Sequence, residues 1–181
     1  PISEGFVYAD AFWINSSKEL ALYGELAMHL AEKATLTLGY RRADVEIDQD
    51  AIYGNGPFDS GTRGLIGVDQ LAQEDVDTYK VNFEYQLNDD ILLYAVASSG
   101  YRAGGFNPEN PNAGTPPTSF GSDTLWNYEL GAKTAWFDNR LVANATLFHV
   151  DWSDIQLSRQ LFGSAGSATI IGNVGEAEID G

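Results

Sequence analysis

Few side chains in this chain are equipped for covalent or metal chemistry, and their spacing argues against it. The two histidines, His29 and His149, stand far apart, each inside a stretch of alternating residues, and neither has a metal-ligating partner at useful spacing. Asp44, Asp48 and Asp50 lack the intervals and the glycine of a calcium loop. Gly163-Ser164-Ala165-Gly166-Ser167 has no serine at the centre of a G-x-S-x-G frame, so it is no nucleophile elbow. Gly54-Asn55-Gly56-Pro57 follows no βαβ pattern and reads as a turn rather than a dinucleotide fingerprint. Cysteine is absent, which removes thiolate ligands and nucleophiles. Carboxylates abound, but none stands out as an acid/base pair. The expectation is a protein without catalytic residues, bound metal or cofactor, and not an enzyme.

Composition narrows the partners. With 10 Lys plus Arg against 26 Asp plus Glu, the net charge is −16, which repels phosphates and speaks against nucleic acid. A hydrophobic content of 44% is too high for disorder driven by low hydrophobicity. No apolar run reaches the ~18 residues of a membrane helix; the longest is about Ile91–Ala97. That excludes a helical span and leaves strands open.

The elements that would position any functional group alternate with period two. Between Asp123 and Phe137, Trp126, Tyr128, Leu130, Ala132, Thr134 and Trp136 fall on one face, and Asn127, Glu129, Gly131 and Lys133 on the other. An apolar face begun and ended by tryptophan, over the ~9–11 residues that cross a bilayer, fits a membrane strand with a polar lumen behind it. Similar alternation predicts strands over Glu19–Leu30, Ala34–Ile47, Val76–Leu87, Ile91–Ala103 and Leu141–Trp152, with less regular ones over Ile2–Ile14 and Thr169–Ile179. Asn15-Ser16-Ser17 is expected to separate the first two. Leu93, Ala95, Ala97 and Tyr101 are placed outward. In Leu141–Trp152 the apolar face changes midway, which suggests a β-bulge.

Short turns are expected at Ala31-Glu32-Lys33, Asn88-Asp89-Asp90 and Asp138-Asn139-Arg140, and long loops at Asp48–Asp75 and Gly104–Ser122. Short turns at one end and long loops at the other is the pattern of an outer-membrane barrel, whereas soluble sandwiches mix short connections at both ends. The fold expected is all-β: an antiparallel transmembrane β-barrel wall of about eight strands, part of a larger barrel. The chain starts without Met or a signal peptide and stops inside a strand-like segment, so residues 1–181 read as one partial barrel domain cut at both ends.

Four segments resemble those of TonB-dependent outer-membrane receptors: Tyr94-Ala95-Val96-Ala97-Ser98-Ser99-Gly100-Tyr101-Arg102-Ala103-Gly104-Gly105-Phe106-Asn107, Leu125–Lys133, Asn139-Arg140-Leu141 with Leu147–Gln156, and Asn173–Gly181. The resemblance is strong from about Tyr79 onward and weaker before it. It implies part of a barrel of about 22 strands with a separate plug domain. It also implies a bacterial outer-membrane location and uptake of a scarce small molecule, most often a ferric siderophore. Energy would come from the TonB complex, contacted through parts this chain lacks.

Within those segments, Gly100, Gly104 and Gly105 are expected to relieve crowding or to shape the exit from strand to loop. Glu129, Lys133, Arg41 and Arg102 pair with neighbouring strands or with the plug. Ligand contacts fall to the loops and lumen: Tyr53, Phe58, Arg63, Phe106 and Phe120, whose rings could stack on a ligand, and Arg102, suited to an anionic one. Two alternatives remain: a complete small eight-stranded barrel with a structural or adhesion role, and a soluble carbohydrate-binding β-domain.

Overall fold

Three turns pin the register of a single wall. The computed structural model describes residues 11–54, 65–107, 118–163 and 166–181. Its strands are β1 (Ala11–Ala31), β2 (Ala34–Gly54), β3 (Leu65–Asn88), β4 (Ile91–Arg102), β5 (Gly105–Phe106), β6 (Ser119–Phe120), β7 (Asp123–Trp136), β8 (Leu141–Ser153), β9 (Gln156–Gly163), β10 (Gly166–Asn173) and β11 (Glu176–Asp180). Seven of them form one antiparallel sheet in the order β1-β2-β3-β4-β7-β8-β11, while β9–β10 and β5–β6 form two small ribbons. The sheet is a curled half-barrel, as the alternation predicted, and its turns are those expected. At the sharpest, Phe137, Asp138 and Asn139 all adopt positive φ, a conformation that Asn and Asp tolerate best.

The strands are divided differently from the expectation. Asn15-Ser16-Ser17 does not interrupt β1, because these residues pair with Gln49, Asp48 and Ile47, and Gln49 Nε2 donates to Asn15 Oδ1 at 2.8 Å. The expected loop Asp48–Asp75 is largely strand: β2 and β3 stay in one register from Ala34↔Tyr85 to Gly54↔Leu65. A ladder set by apolar pairs near the turn continues into polar sequence wherever its backbone groups keep partners. The expected strand Thr169–Ile179 is broken at Val174-Gly175, where Gly175 has φ +70°. Residues 2–10 of the first expected strand lie outside the described residues.

The wall's outer face is apolar and uncovered. Across it run the pairs Leu26↔Leu38, Leu38↔Val81, Phe83↔Ala95, Ala95↔Leu130 and Leu130↔Leu147. Leu130 is 62% exposed and Leu26 59%, whereas the buried apolar residues among those described are only Ala34, Ala43, Val45, Val76, Ile155 and Ile170. A soluble β-domain would bury the first set, so this face is built for lipid rather than for an aqueous fold. Small Ala95, Ala97 and Ser99 of β4 alternate with large neighbours. Tyr79 therefore reaches past Ser99 to stack on Trp126, with ring centroids 6.3 Å apart. Tyr40, Tyr79, Trp126, Tyr128 and His149 make a continuous row of rings on this face. Trp136 and Phe137 mark the opposite, short-turn end, giving the two aromatic borders of a membrane band.

The turns also step along the sheet. The β1–β2 turn lies opposite Tyr85 of β3, the β3–β4 turn lies beyond it, and the β7–β8 turn further still. Strands staggered this way are tilted to the membrane normal, as barrel closure requires.

The bulge expected in β8 is absent. Register runs unbroken from Thr124↔Ser153 to Trp136↔Leu141. What changes is which face is apolar. Beyond the aromatic row, Val150 and Trp152 sit on the lumen side, as do Ala43, Val45 and Val76 of β2 and β3. A small closed barrel would require β1 to meet β11. Among the described residues β1 pairs with β2 and β11 with β8, so the sheet is open.

Candidate functional site

At the long-loop end, two corners with positive φ turn the chain out of the wall. Asp154 (φ 55°) ends β8 and Gly175 (φ 70°) precedes β11. They are tied by Val174 N donating to Ile155 O at 2.9 Å. Between these corners β9 and β10 form a hairpin from Gly166↔Gly163 to Asn173↔Gln156. The loop after β4 makes its own short ribbon, Gly105↔Phe120 and Phe106↔Ser119. Gly104 and Gly105 serve it directly: a Cβ on Gly104 would collide with the Phe120 carbonyl, and one on Gly105 with the Phe120 ring. Gly100 has ordinary space around it, so crowding does not explain that position.

Arg102, Asp123 and Gln156 hold these elements to the wall. Arg102 Nη2 donates to Asp123 Oδ2 and, at 3.2 Å, to the Gln156 carbonyl, and its guanidinium lies 5.6 Å from the Trp152 ring centroid. Gln156 N donates to Asp123 Oδ2 at 3.1 Å, and Gln156 Nε2 donates to the carbonyls of Arg102, Ala103 and Gly121 at 3.2, 2.9 and 3.0 Å. Asp123 is 2% exposed. Burial pushes its carboxyl up, but the bonds from Arg102 and the Gln156 N–H outweigh that and hold it below the ordinary aspartate value. The Trp152 indole acts in the same direction from beyond hydrogen-bond reach.

Of the residues expected to contact a ligand, Phe106 and Phe120 lie together on the β5–β6 ribbon, half-buried, with Phe120 folded over Gly105. Arg102 stands beside that ribbon at the end of β4, engaged with Asp123. Tyr53 falls on β2 rather than in a loop, with its side chain outside the described residues. Phe58 and Arg63 also lie outside them. Single-residue inspection missed Asn107, Asn173 and Gln156, although all three lie in the segments that carried the family resemblance.

Of the lumen-facing charges, Arg41 and Lys133 meet neighbouring strands, whereas the bond to Glu129 comes from its own strand. Arg41 bonds Glu19, and Glu129 accepts from Asn127 Nδ2 at 2.7 Å. Lys133 Nζ lies 5.5 Å from the ring centroid of Tyr94. That ring covers Gly131, where a Cβ would strike it, and its hydroxyl shares a 2.7 Å bond with Thr146 on the next strand. Tyr101 departs from its expected outward position. Its hydroxyl donates to Glu19 at 3.3 Å, on the lumen side, and β4 has left its ladder with β3 beyond Lys80↔Ser98. His149 bonds Asp180 at 2.7 Å and Asp151 at 2.9 Å, and His29 bonds Thr35 at 3.1 Å, which makes both wall residues. Among the described residues no cluster of three or more His, Cys, Asp or Glu is placed to hold a metal ion.

Comparison with known proteins agrees with this architecture. The chain is similar to the ferric yersiniabactin uptake receptor FyuA of Yersinia pestis, with TM-score 0.73 and 22% identity over 94% of this chain and 24% of that one. It is similar to the ferric-catecholate import receptor Fiu of E. coli K12, with TM-score 0.70 and 15% identity over 93% and 25%. It is also similar to the alcaligin outer-membrane receptor FauA of Bordetella pertussis, with TM-score 0.57 and 20% identity over 92% and 26%. The chain thus spans about a quarter of the length of each of these receptors. Residues 3–181 match the family model for the TonB dependent receptor-like β-barrel, and with its lipid-facing half-barrel of antiparallel strands the chain belongs to that family of the bacterial outer membrane.

Proposed function

We propose that this chain is one part of the wall of a larger barrel that imports a scarce small molecule, a ferric siderophore before other ligands, using energy delivered through TonB. The observation that carries this reading is the open, tilted sheet with a lipid face, a polar lumen and long loops at one end, in a chain of this family. An open sheet leaves two edges to be continued, which suits a segment of a wall better than a finished barrel. Among the solved structures it resembles are a ferric yersiniabactin uptake receptor and a ferric-catecholate import receptor, which favours a ferric chelate as the ligand class. The ligand is received at the long-loop end, where Phe106 and Phe120 offer ring faces and Arg102 positive charge to an anionic chelate; Tyr53, Phe58 and Arg63 are proposed as further contacts from the sequence alone.

The test is genetic. The gene encoding this chain is deleted, and uptake of radiolabelled iron is measured with single siderophores under iron limitation. Uptake of one siderophore should be lost, be restored by a plasmid copy, and also be lost when tonB is disrupted. Uptake of every siderophore at the parental rate, or restored uptake that persists without TonB, overturns the reading.

A further inference from the structure

Two pieces of the long-loop end are too small to hold a shape alone. The β5–β6 ribbon has two residues per strand, and β9–β10 is an isolated two-stranded hairpin, an arrangement that is marginal by itself in water. Three side-chain amides join them.

Asn107, 1% exposed, donates from Nδ2 to the Ile171 carbonyl and accepts at Oδ1 from the Ile171 N–H, both at 2.7 Å. Its carboxamide thereby takes the place of a neighbouring strand's peptide group beside β10. Asn173 does the reverse from β10: its Oδ1 accepts from Gly121 N at 2.7 Å, and its Nδ2 donates to the carbonyls of Gly121 (3.0 Å), Ser122 (3.3 Å) and Asp154 (2.8 Å). Gln156 closes the third side with its bonds to Arg102, Ala103 and Gly121. Ile170, fully buried, lies beside the Asn107 bond, so that contact forms where water is excluded, while the bonds of Asn173 and Gln156 lie nearer the surface.

We propose that Asn107, Gln156 and Asn173 are positioning residues that bind the β5–β6 ribbon and the β9–β10 hairpin into one rigid block anchored on β4, β7 and β8. A molecule that touches either loop then meets both. The uptake reading is not needed for this inference.

The test uses the full-length receptor in lipid, with spin labels introduced at Ser119 and Ser158, both exposed, one on each element. Pulsed electron–electron resonance should give one narrow distance distribution. Asn107→Ala with Asn173→Ala should broaden it at least twofold while the thermal transition of the barrel stays in place. Asn107→Asp, which keeps the shape and removes the donor to Ile171, should broaden it as well. Asn127→Ala, an amide lower on the lumen face, should leave the width unchanged. A distribution as narrow as wild type in Asn107→Asp overturns the proposal, and that variant alone decides the question if the double variant does not insert. Equal broadening in Asn127→Ala also overturns it, because the effect would then belong to any loss of a lumen amide.

Discussion

Below the aromatic row, Leu130 and Leu147 point outward and are exposed, while Asn127, Glu129 and Lys133 line the lumen. Above it strands β2, β3 and β8 reverse. Ala43, Val45 and Val76 lie on the lumen face and are buried, and Arg42, Asp44, Asp75 and Asp77 face outward, with Arg42 paired to both Asp75 and Asp77. In the β2–β3 and β7–β8 ladders the backbone register passes through the row unbroken, so in those strands the reversal does not come from a slip or a bulge. The surroundings have changed. Below the row the outside is lipid, which accepts apolar side chains and rejects charge. Above it the outside is water, and the lumen side, where Ser122 bonds Glu74, is the buried one, so the apolar side chains follow the dry side.

This contrast can be broken or sharpened by substitution. The largest effect is expected for Leu130→Arg, in the middle of the lipid face: about 2–4 kcal/mol lost, measured by reversible unfolding of the receptor from lipid vesicles. A cost near zero would place that face in water and undo the comparison. Next comes Val45→Ala, on the buried side above the row, where Val45 is 2% exposed. Removing two methyl groups from a closed site should cost about 1.5–3 kcal/mol in the same assay.

A third test concerns the anchor above Trp126. Because Asp123 is held below its ordinary value in the folded state, its contribution is present above the unfolded aspartate pKa and is lost as pH falls through the folded one. Hydrogen exchange at the Gln156 amide, which donates to Asp123, should therefore accelerate in acid beyond the intrinsic pH trend. In Asp123→Asn that extra acceleration should vanish. If it persists, another group controls the anchor. The smallest effect is expected for Leu71→Arg. Leu71 is 60% exposed, as outward as Leu130, yet it stands above the row beside Asp48. The cost should stay within about 0.5 kcal/mol. Equal costs for Leu71→Arg and Leu130→Arg would show that exposure alone, and not the medium, sets the penalty.

The alternation of Tyr79, Val81, Phe83, Tyr85 and Leu87 made the wall readable, since lipid on one side and polar lumen on the other write period two into every strand. The turns at Glu32, Asp89 and Asn139 were readable too, because the residues that tolerate tight turns are few. Where both sides of a strand are wet or roofed, that signal fades. Asp48–Asp75 therefore read as loop although most of it is ladder, and the change of apolar face in β8 looked like a bulge although its register is intact.

The candidate site was legible only in part. Arg102, Phe106 and Phe120 do gather at one end of the wall, and Gly104 and Gly105 do shape the exit there. Asn107, Gln156 and Asn173 bear the most connections, yet nothing in an isolated amide announces a partner 64 residues away, the separation of Asn107 from Ile171. By itself, then, the sequence determined the membrane strands, their outward faces and the turns between them, because these follow from local period and from the solvent each face must meet. The tertiary structure decided where the apolar face reverses, how the hairpin after Asp154 turns out of the wall, and which amides lock the loops. Each of those depends on contacts between segments far apart in the chain, and short-range spacing carries no record of them.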